Sequence, residues 1–537
     1  MYERVPAQRK HVFGALALAT ALILAAGCGG GTTATTASGK TAPAAATTSN
    51  ATGKVFTVVQ SAEPITLDPE NTGDNVGLGV ERAIYQGLFG FDQNMKLQPV
   101  LAKSYEVSSD ALTYTFHLQT GVKFSDGTPF DAQAVKVNLE RVADQANHLN
   151  KYSLFNMIKT ITAVDASTVE VTLQYPFSSF LDNLGHPSAG MISPAALKQY
   201  GNSGIATHPV GTGPFMLKDW SHGNSITMVK NPNYWQPGQP SFDQIVFKDV
   251  PDASQGLAML KTGEAQFVYP LAPVDAKALA SDAAVKVVNQ PSVYVTWLTM
   301  NQLHEPYSNK DVRLALNYAI DKNALIQSLY QGDALAMNSA MGSQIQYFKN
   351  VGSYPFDLAK AKQLMQQAGY GSGFTTTLWS GNSSFAQEEG VFIQQQLAQI
   401  GVKVQITPME SGTLHAAITK PAATNQSQLL LTGFSPSNGA ADWALRAPFA
   451  KSSWPPNLFN YGFYSDDQVN NLFQAALTTT DTSKEASDYA QAQQLMFADA
   501  PIVWLVEPTN VWGEVSSLQN AYVVPDQTLE VQFASMK

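Results

Sequence analysis

Two loops in the second half of the chain collect side chains suited to holding a small polar solute. "WSGNSSF" (379–385) and "FSPSNGAADWALR" (434–446) each set aromatic rings beside small hydrogen-bonding residues. Rings supply flat apolar area while hydroxyls and amides orient polar atoms, which is the composition of a polar-ligand pocket wall. Trp379 and Trp443 also suit an ordinary core, but their joint placement favours a site. Bond-making chemistry is harder to find. The sequence lacks G-x-S-x-G, H-E-x-x-H, G-x-x-x-x-G-K and G-x-G-x-x-G. No two of its eight histidines stand at i, i+4, so no helical metal pair is indicated. A nucleophile assembled from distant segments leaves no such mark, so these absences move weight from enzyme to binder. No catalytic residue, cofactor or bound metal is expected.

The elements that position the loops form a βαβαβ series. Strand 374–379 leads to helix "QEEGVFIQQQLAQIG" (387–401), strand 402–407, a shorter helix at 412–419 and strand 428–434. Crossovers of this length favour a parallel sheet, with ligands outside the strands' carboxyl ends, where both loops emerge. Ahead of this series, "DVRLALNYAIDKNALIQSLYQG" (311–332) reads as one helix stopped by Gly332, and Asp357 caps a helix that Gly369 ends. Nearer the start, "KVFTVVQ" (54–60), "LTYTFHL" (112–118) and "STVEVTLQYPF" (167–177) alternate as half-buried strands. A QTG turn after the second leads to a further short strand, and Asp131 caps a helix to about Arg141.

The only cysteine of the 537 residues, Cys28, lies at the other end of the chain. Arg4, Arg9 and Lys10 precede an apolar stretch from Val12 to Ala26, a secretory h-region shorter than the roughly 20 residues that span a bilayer. Ala25, Ala26 and Gly27 then lead into Cys28. This resembles a bacterial lipobox, in which the cysteine is lipidated and becomes the mature N-terminus; Ala25 stands where leucine is usual. Residues 1–28 therefore read as a lipoprotein signal peptide and 29–53 as a Gly/Thr/Ala tether too poor in apolar residues to fold. No disulfide or zinc-cysteine site is possible with one cysteine. With 44% apolar and 14% charged residues, the remainder is long enough for two or three domains with real cores. A net charge of −10 and the lack of a basic run argue against nucleic acid.

"SAEPITLDP" (61–69), "YQGLFGFD" (85–92), "LTYTFHLQTGVKFSDGTPFDAQAVKVNLER" (112–141), "PVGTGPF" (209–215), "NPNYW" (231–235) and "DVRLALNYAID" (311–321) together resemble the dipeptide/oligopeptide/nickel family of ABC-transporter solute-binding proteins. The resemblance runs from residue 55 to 537 in the family's order. "NHLNKYSLF" (147–155), "HPSAGMISPAAL" (186–197), "TGEAQF" (262–267), "ADWAL" (441–445) and "WPPNLFN" (454–460) are most similar to its glutathione-importing branch.

The resemblance implies an α/β, two-lobed periplasmic-binding-protein fold of the large three-domain type (class II). Domain I would comprise 54–91, 212–300 and 503–537, with domain II (92–211) inserted and domain III (301–502) as the other lobe. Ligand would favour the closed state and an import permease would recognise it; the chain is expected to be an extracytoplasmic, lipid-anchored monomer. Dipeptide binders carry an acid where Ser437 stands, leaving Asp442 as that loop's carboxylate. Their arginine in the loop after strand 374–379 is missing too. Glutathione, with two carboxylates and a γ-linkage, would need cations or N–H donors placed differently. Arg446, Lys151 and His148 are candidates, with Tyr152 as a hydroxyl partner. Against these stand an i, i+4 ion pair between Arg446 and Asp442 and an exposed loop for Lys151 and His148. Trp379, Ser380, Asn382, Phe434, Trp443, Glu63 and Asn301 complete the expected ligand-binding set. A nickel chelate or haem is the alternative cargo, with His415 as its candidate, and an extracellular peptidase is a third reading without a visible nucleophile–base pair.

Overall fold

The structure, a computed structural model, describes residues 53–537. Cys28, the leader and the tether lie outside the described residues.

A 12-stranded mixed sheet carries the architecture. At one end, Phe374–Gly381 lies between Val402–Met409 and Leu429–Phe434, parallel to both. At the other, Val55–Gln60 runs parallel to Gln244–Asp249 and Phe267–Val268. The two ends are joined by the 14-residue strand Ile502–Val515. Its first half pairs antiparallel with Val295–Met300, and its second half with Val285–Pro291. Two crossings between the halves of the molecule, at 291–295 and 506–509, therefore lie side by side.

A separate four-stranded antiparallel sheet is built from Ala102–Val107, Thr113–Leu118, Thr168–Leu173 and Ile158–Asp165. Tyr114, Phe116 and Leu118 alternate inward and pack with Val135 and Leu139 of helix Ala132–Ala143. Asp131 caps that helix by accepting from the Ala134 amide at 2.9 Å. Arg141, near its end, pairs with Asp68 at 2.6 Å and Glu70 at 2.5 Å, tying this unit to the segment after the first strand. Burial pushes the Glu70 carboxyl up to about 8 even against the pull of Arg141.

The parallel strands stand where the alternation placed them. The helix between the first two is Ser384–Ala398, earlier than expected, because Ser383 accepts from the Ala386 amide and caps it. The single helix expected over 311–332 is two, Lys310–Ala319 and Lys322–Ser328. Ile320 is extended, and Asp321 accepts from the Ala324 amide at 3.0 Å to start a new helix. The short strand expected after the QTG turn reduces to one bridge, Lys123 with Pro129.

Asn317 holds the joining strand in place. Its amide donates to the carbonyls of Arg313 and Ile502, and its oxygen accepts from the Trp504 N–H, all within 3.0 Å. The residue is fully buried, so nothing replaces those bonds if it is cut away. Asn317→Ala is expected to lower unfolding free energy by about 2–4 kcal/mol in urea titrations. A loss below about 1 kcal/mol would mean the strand is held by packing alone.

Candidate functional site

Loops from distant parts of the chain close on one another beside the crossings. The turn after Leu429–Phe434 reaches across the cleft, where Ser435 Oγ donates to the Asp526 carbonyl at 3.3 Å. Asn75 Nδ2 donates to that same carbonyl at 3.1 Å. Three residues further along the turn, Asn438 Nδ2 donates to Asn183 Oδ1 at 2.8 Å, and the Asn183 amide donates to the Leu154 carbonyl at 2.7 Å. The carboxyl end of a parallel strand, the helix Asn75–Glu81 and the four-stranded unit thus share one polar seam.

Titratable groups cluster at this seam. Glu81 is 1% exposed, with the Thr72 hydroxyl against its carboxyl group. Burial pushes its carboxyl well above the ordinary range, against the opposing pull of Lys151. Burial likewise lowers the half-buried Lys151 ammonium, which Glu81 and Asp74 pull back up. Among the described residues no carboxylate forms an ion pair with it. His186 is held neutral by burial and by the charges of Lys151 and Arg82, and its Nδ1 accepts from the Ser188 amide at 3.0 Å. Arg82 is committed to Glu530 at 3.0 Å.

Two cavities of similar size lie between the halves. One, of about 660 Å³, is walled by Gln60, Tyr269, Tyr294, Tyr330, Phe385 and Glu389 and is largely apolar. Its one acid, Glu389, is pushed up to about 7 by burial, and Tyr330 Oη donates to it at 3.3 Å. The other, of about 650 Å³, is walled by Tyr152, Tyr175, Trp443, Arg446, Asn457 and Leu477. Its cation is already matched: Arg446 Nε and Nη2 donate to the two oxygens of Asp442 at 2.7 and 2.6 Å.

Residues 96–465 match the family of bacterial extracellular solute-binding proteins, family 5. The chain belongs to that family. It is 45% identical over 472 residues to the glutathione-binding protein GsiB of Pectobacterium atrosepticum, covering 88% of this chain and 92% of that one. GsiB of Escherichia coli K12 is 41% identical over 474 residues, with the same coverage. Among solved structures, the periplasmic binding protein DppA of Helicobacter pylori, in complex with peptide STSA, superposes with a TM-score of 0.79 at 28% identity. The alignment covers 90% of this chain and 98% of DppA. The fold is the two-lobed α/β fold of periplasmic binding proteins, and the role is extracytoplasmic solute binding.

Within this family-5 fold the expected ligand residues separate. Tyr152, Trp443 and Arg446 share the second cavity. Phe434 packs at the rim of the same region, 6.5 Å from Trp443 and 5.5 Å from Phe459 by ring centroid. Lys151 stands at the seam, one residue from Tyr152. Asp442 serves Arg446, the i, i+4 pair that the spacing allowed. Ser437 is buried in the seam loop. Trp379 lines neither cavity, so the structure does not set the two tryptophans on one wall. Ser380 is fully buried with its hydroxyl unpartnered, and exposed Asn382 accepts from Gln387 through its carbonyl. Glu63 accepts from Trp220 Nε1 and the Gly223 amide at a turn, and Asn301 anchors the Ser427 carbonyl. Exposed His148 and His415 line neither cavity, and no group of three or more potential metal ligands occurs among the described residues. Sequence reasoning missed Glu81, His186 and Glu389. For Glu81 the available signal was a lone carboxylate inside the apolar stretch "VGLGVERAIY".

Two outcomes follow from these charges. Arg446→Met strands Asp442, which is 2% exposed, and should cost about 2–4 kcal/mol in urea unfolding, the lower part of the range for buried pairs because the Arg446 side chain remains 21% exposed. The double change with Asp442→Asn should recover most of that loss. For Glu389, the native state keeps a proton between about pH 4.5 and 7 that the unfolded chain has released. Its stabilising contribution is therefore full in acid and lost as pH rises through 7. Glu389→Gln should match wild type at pH 4.5 and exceed it by about 1–3 kcal/mol at pH 8; parallel stability curves across that window would refute the assignment.

Proposed function

We propose that this chain captures glutathione, or a short peptide, in the interlobe cleft and presents it to an ABC import permease, while Cys28 carries a lipid anchor. The observation that carries the reading is Lys151, a cation enclosed at the seam with no ion-pair partner among the described residues, one residue from Tyr152 of the second cavity. Arg446 is already neutralised by Asp442, and the largely apolar cavity around Glu389 offers no cation to an anionic solute. Lys151 is thus the group positioned to receive a ligand carboxylate. Relatives 41–45% identical, named as glutathione-binding proteins, support the same ligand.

Capture works through differential affinity. Ligand that touches both lobes favours the closed state, and the paired crossings at 291–295 and 506–509 are the segments about which the lobes would turn. A micromolar dissociation constant, about −8 kcal/mol, is enough for capture and permits release. Nothing in this cycle requires a partner copy, so the receptor acts as a monomer.

Isothermal titration of the compact body, residues 52–537, with glutathione, dipeptides and buffer tests the reading directly. Glutathione should bind at micromolar concentration, and Lys151→Met should weaken it by about tenfold or more, as expected for loss of a charge-assisted hydrogen bond. Heatless titrations throughout, with no thermal-shift response, would reject it. In cells, Cys28→Ser should release the protein from the membrane fraction.

A further inference from the structure

The cavity around Glu389 has the chemistry to hold a group without charge. Its walls come from both lobes: Gln60 stands at the end of Val55–Gln60, while Tyr294, Tyr330 and Glu389 belong to the other side. Among the described residues that line it, none is a lysine, arginine or histidine, and Glu389 is the single acid. Three polar side chains reach it with bonding capacity left over. Gln60 is 4% exposed, and its carboxamide makes no hydrogen bond among the described residues. Tyr294 enters hydrogen bonds only through its backbone. Its hydroxyl lies over Gly433, where a Cβ would come within 2.4 Å of it. Glu389 is buried like Gln60, accepts from Tyr330 through Oε1, and has no partner for its other oxygen among the described residues. The titratable groups facing Glu389 are the hydroxyls of Tyr330 and Tyr294, which burial keeps neutral. Burial also favours the protonated form of Glu389 itself. A protonated carboxyl opposite a carboxamide offers donors and acceptors without net charge. Polar groups enclosed without partners are costly until something engages them.

We propose that this cavity is a charge-excluding subsite for an uncharged amide on an apolar body, held between the Gln60 carboxamide of one lobe and the Glu389 carboxyl of the other. The Glu389 O–H donates to the ligand's carbonyl, and the Gln60 oxygen accepts from its N–H. The apolar body packs against Val59, Val250 and Leu431. Phe385, 5.1 Å from Tyr330 by ring centroid and 41% exposed, stands at the rim. A carboxylate finds no cation in this cavity. An ammonium would have to strip the proton from a carboxyl enclosed by apolar walls. Both therefore lose to a neutral group of the same shape. Binding is also linked to a proton: the amide is held by the neutral acid, so affinity falls as pH rises through the range in which Glu389 ionises. The subsite rests on capture between the lobes as read above, and it is independent of the carboxylate assigned to Lys151.

The test is calorimetric titration of the 52–537 body with three compounds that share one apolar body. N-acetylleucinamide is uncharged, N-acetylleucine ends in a carboxylate, and leucinamide is an ammonium at pH 6. At pH 6 wild type should bind N-acetylleucinamide, and bind the other two about 10-fold or more weakly. Raising the pH to 8.5 should weaken N-acetylleucinamide by about 10- to 30-fold. Glu389→Gln keeps a donor and cannot ionise, so it should bind as wild type does at pH 6 and hold that affinity at pH 8.5. Gln60→Leu removes a carboxamide that has no partners; it should melt no lower than wild type and lose about 10-fold in affinity. Lys151→Met should leave all three titrations unchanged. If the charged compounds bind as well as the uncharged one, or if wild-type affinity is flat between pH 6 and 8.5, the subsite is refuted. Glutathione binding with no response to the three compounds at millimolar concentration refutes the subsite and leaves glutathione capture standing. Binding of N-acetylleucinamide that depends on Gln60 and Glu389, with glutathione heatless, supports the subsite and refutes glutathione capture.

Discussion

One strand, Ile502–Val515, is hydrogen-bonded first to one half of the molecule and then to the other, and it makes the two lobes a single mechanical object. Strand pairing is cooperative and register-locked, because a slip by one residue would turn every buried side chain to the wrong face. The strand's first half is nearly continuous apolar sequence, "IVWLV", buried on both faces. Its second half reaches the other lobe through Glu507, Pro508 and Thr509. Only two chain segments cross there, so motion between the lobes is confined to a narrow hinge, while each lobe keeps its own apolar clusters intact. Every loop that meets at the seam is placed by this arrangement.

The cleft then works by leaving some charges matched and others not. Arg446 and Asp442 satisfy one another and cost little when enclosed. Arg141 pairs with Asp68 and Glu70 between the four-stranded unit and the segment after the first strand. Burial favours the neutral acid at Glu81, and Lys151 has no carboxylate partner among the described residues. His186 is held neutral and Arg82 is engaged by Glu530.

Several features were legible without tertiary structure because they are set by neighbours in the chain. The period-2 strands at 54–60, 374–379 and 402–407, the caps by Asp131 and Asp357, and the pairing of Asp442 with Arg446 depend on spacings of a few residues. Local signals also misled. The apolar periodicity of 311–332 runs through Asp321, yet an aspartate that can cap a new helix ended the first one. The turn after Leu118 resembles a hairpin, but Asp126 is drawn to Thr128 and Ser193, leaving one bridge of the second strand.

The amino-acid sequence by itself determined the class of molecule: an α/β chain with no catalytic motif, a single N-terminal cysteine in a lipobox-like setting, and the ordered motifs of family 5. Composition and short-range spacing carry that information, and they persist whatever the chain's final shape. Only the tertiary structure decided which side chains share the cleft. It separated Trp379 from Trp443 and set Glu81 against Lys151. The physical reason is that burial and charge proximity belong to segments brought together by folding, and no local pattern records which carboxyl group will be enclosed.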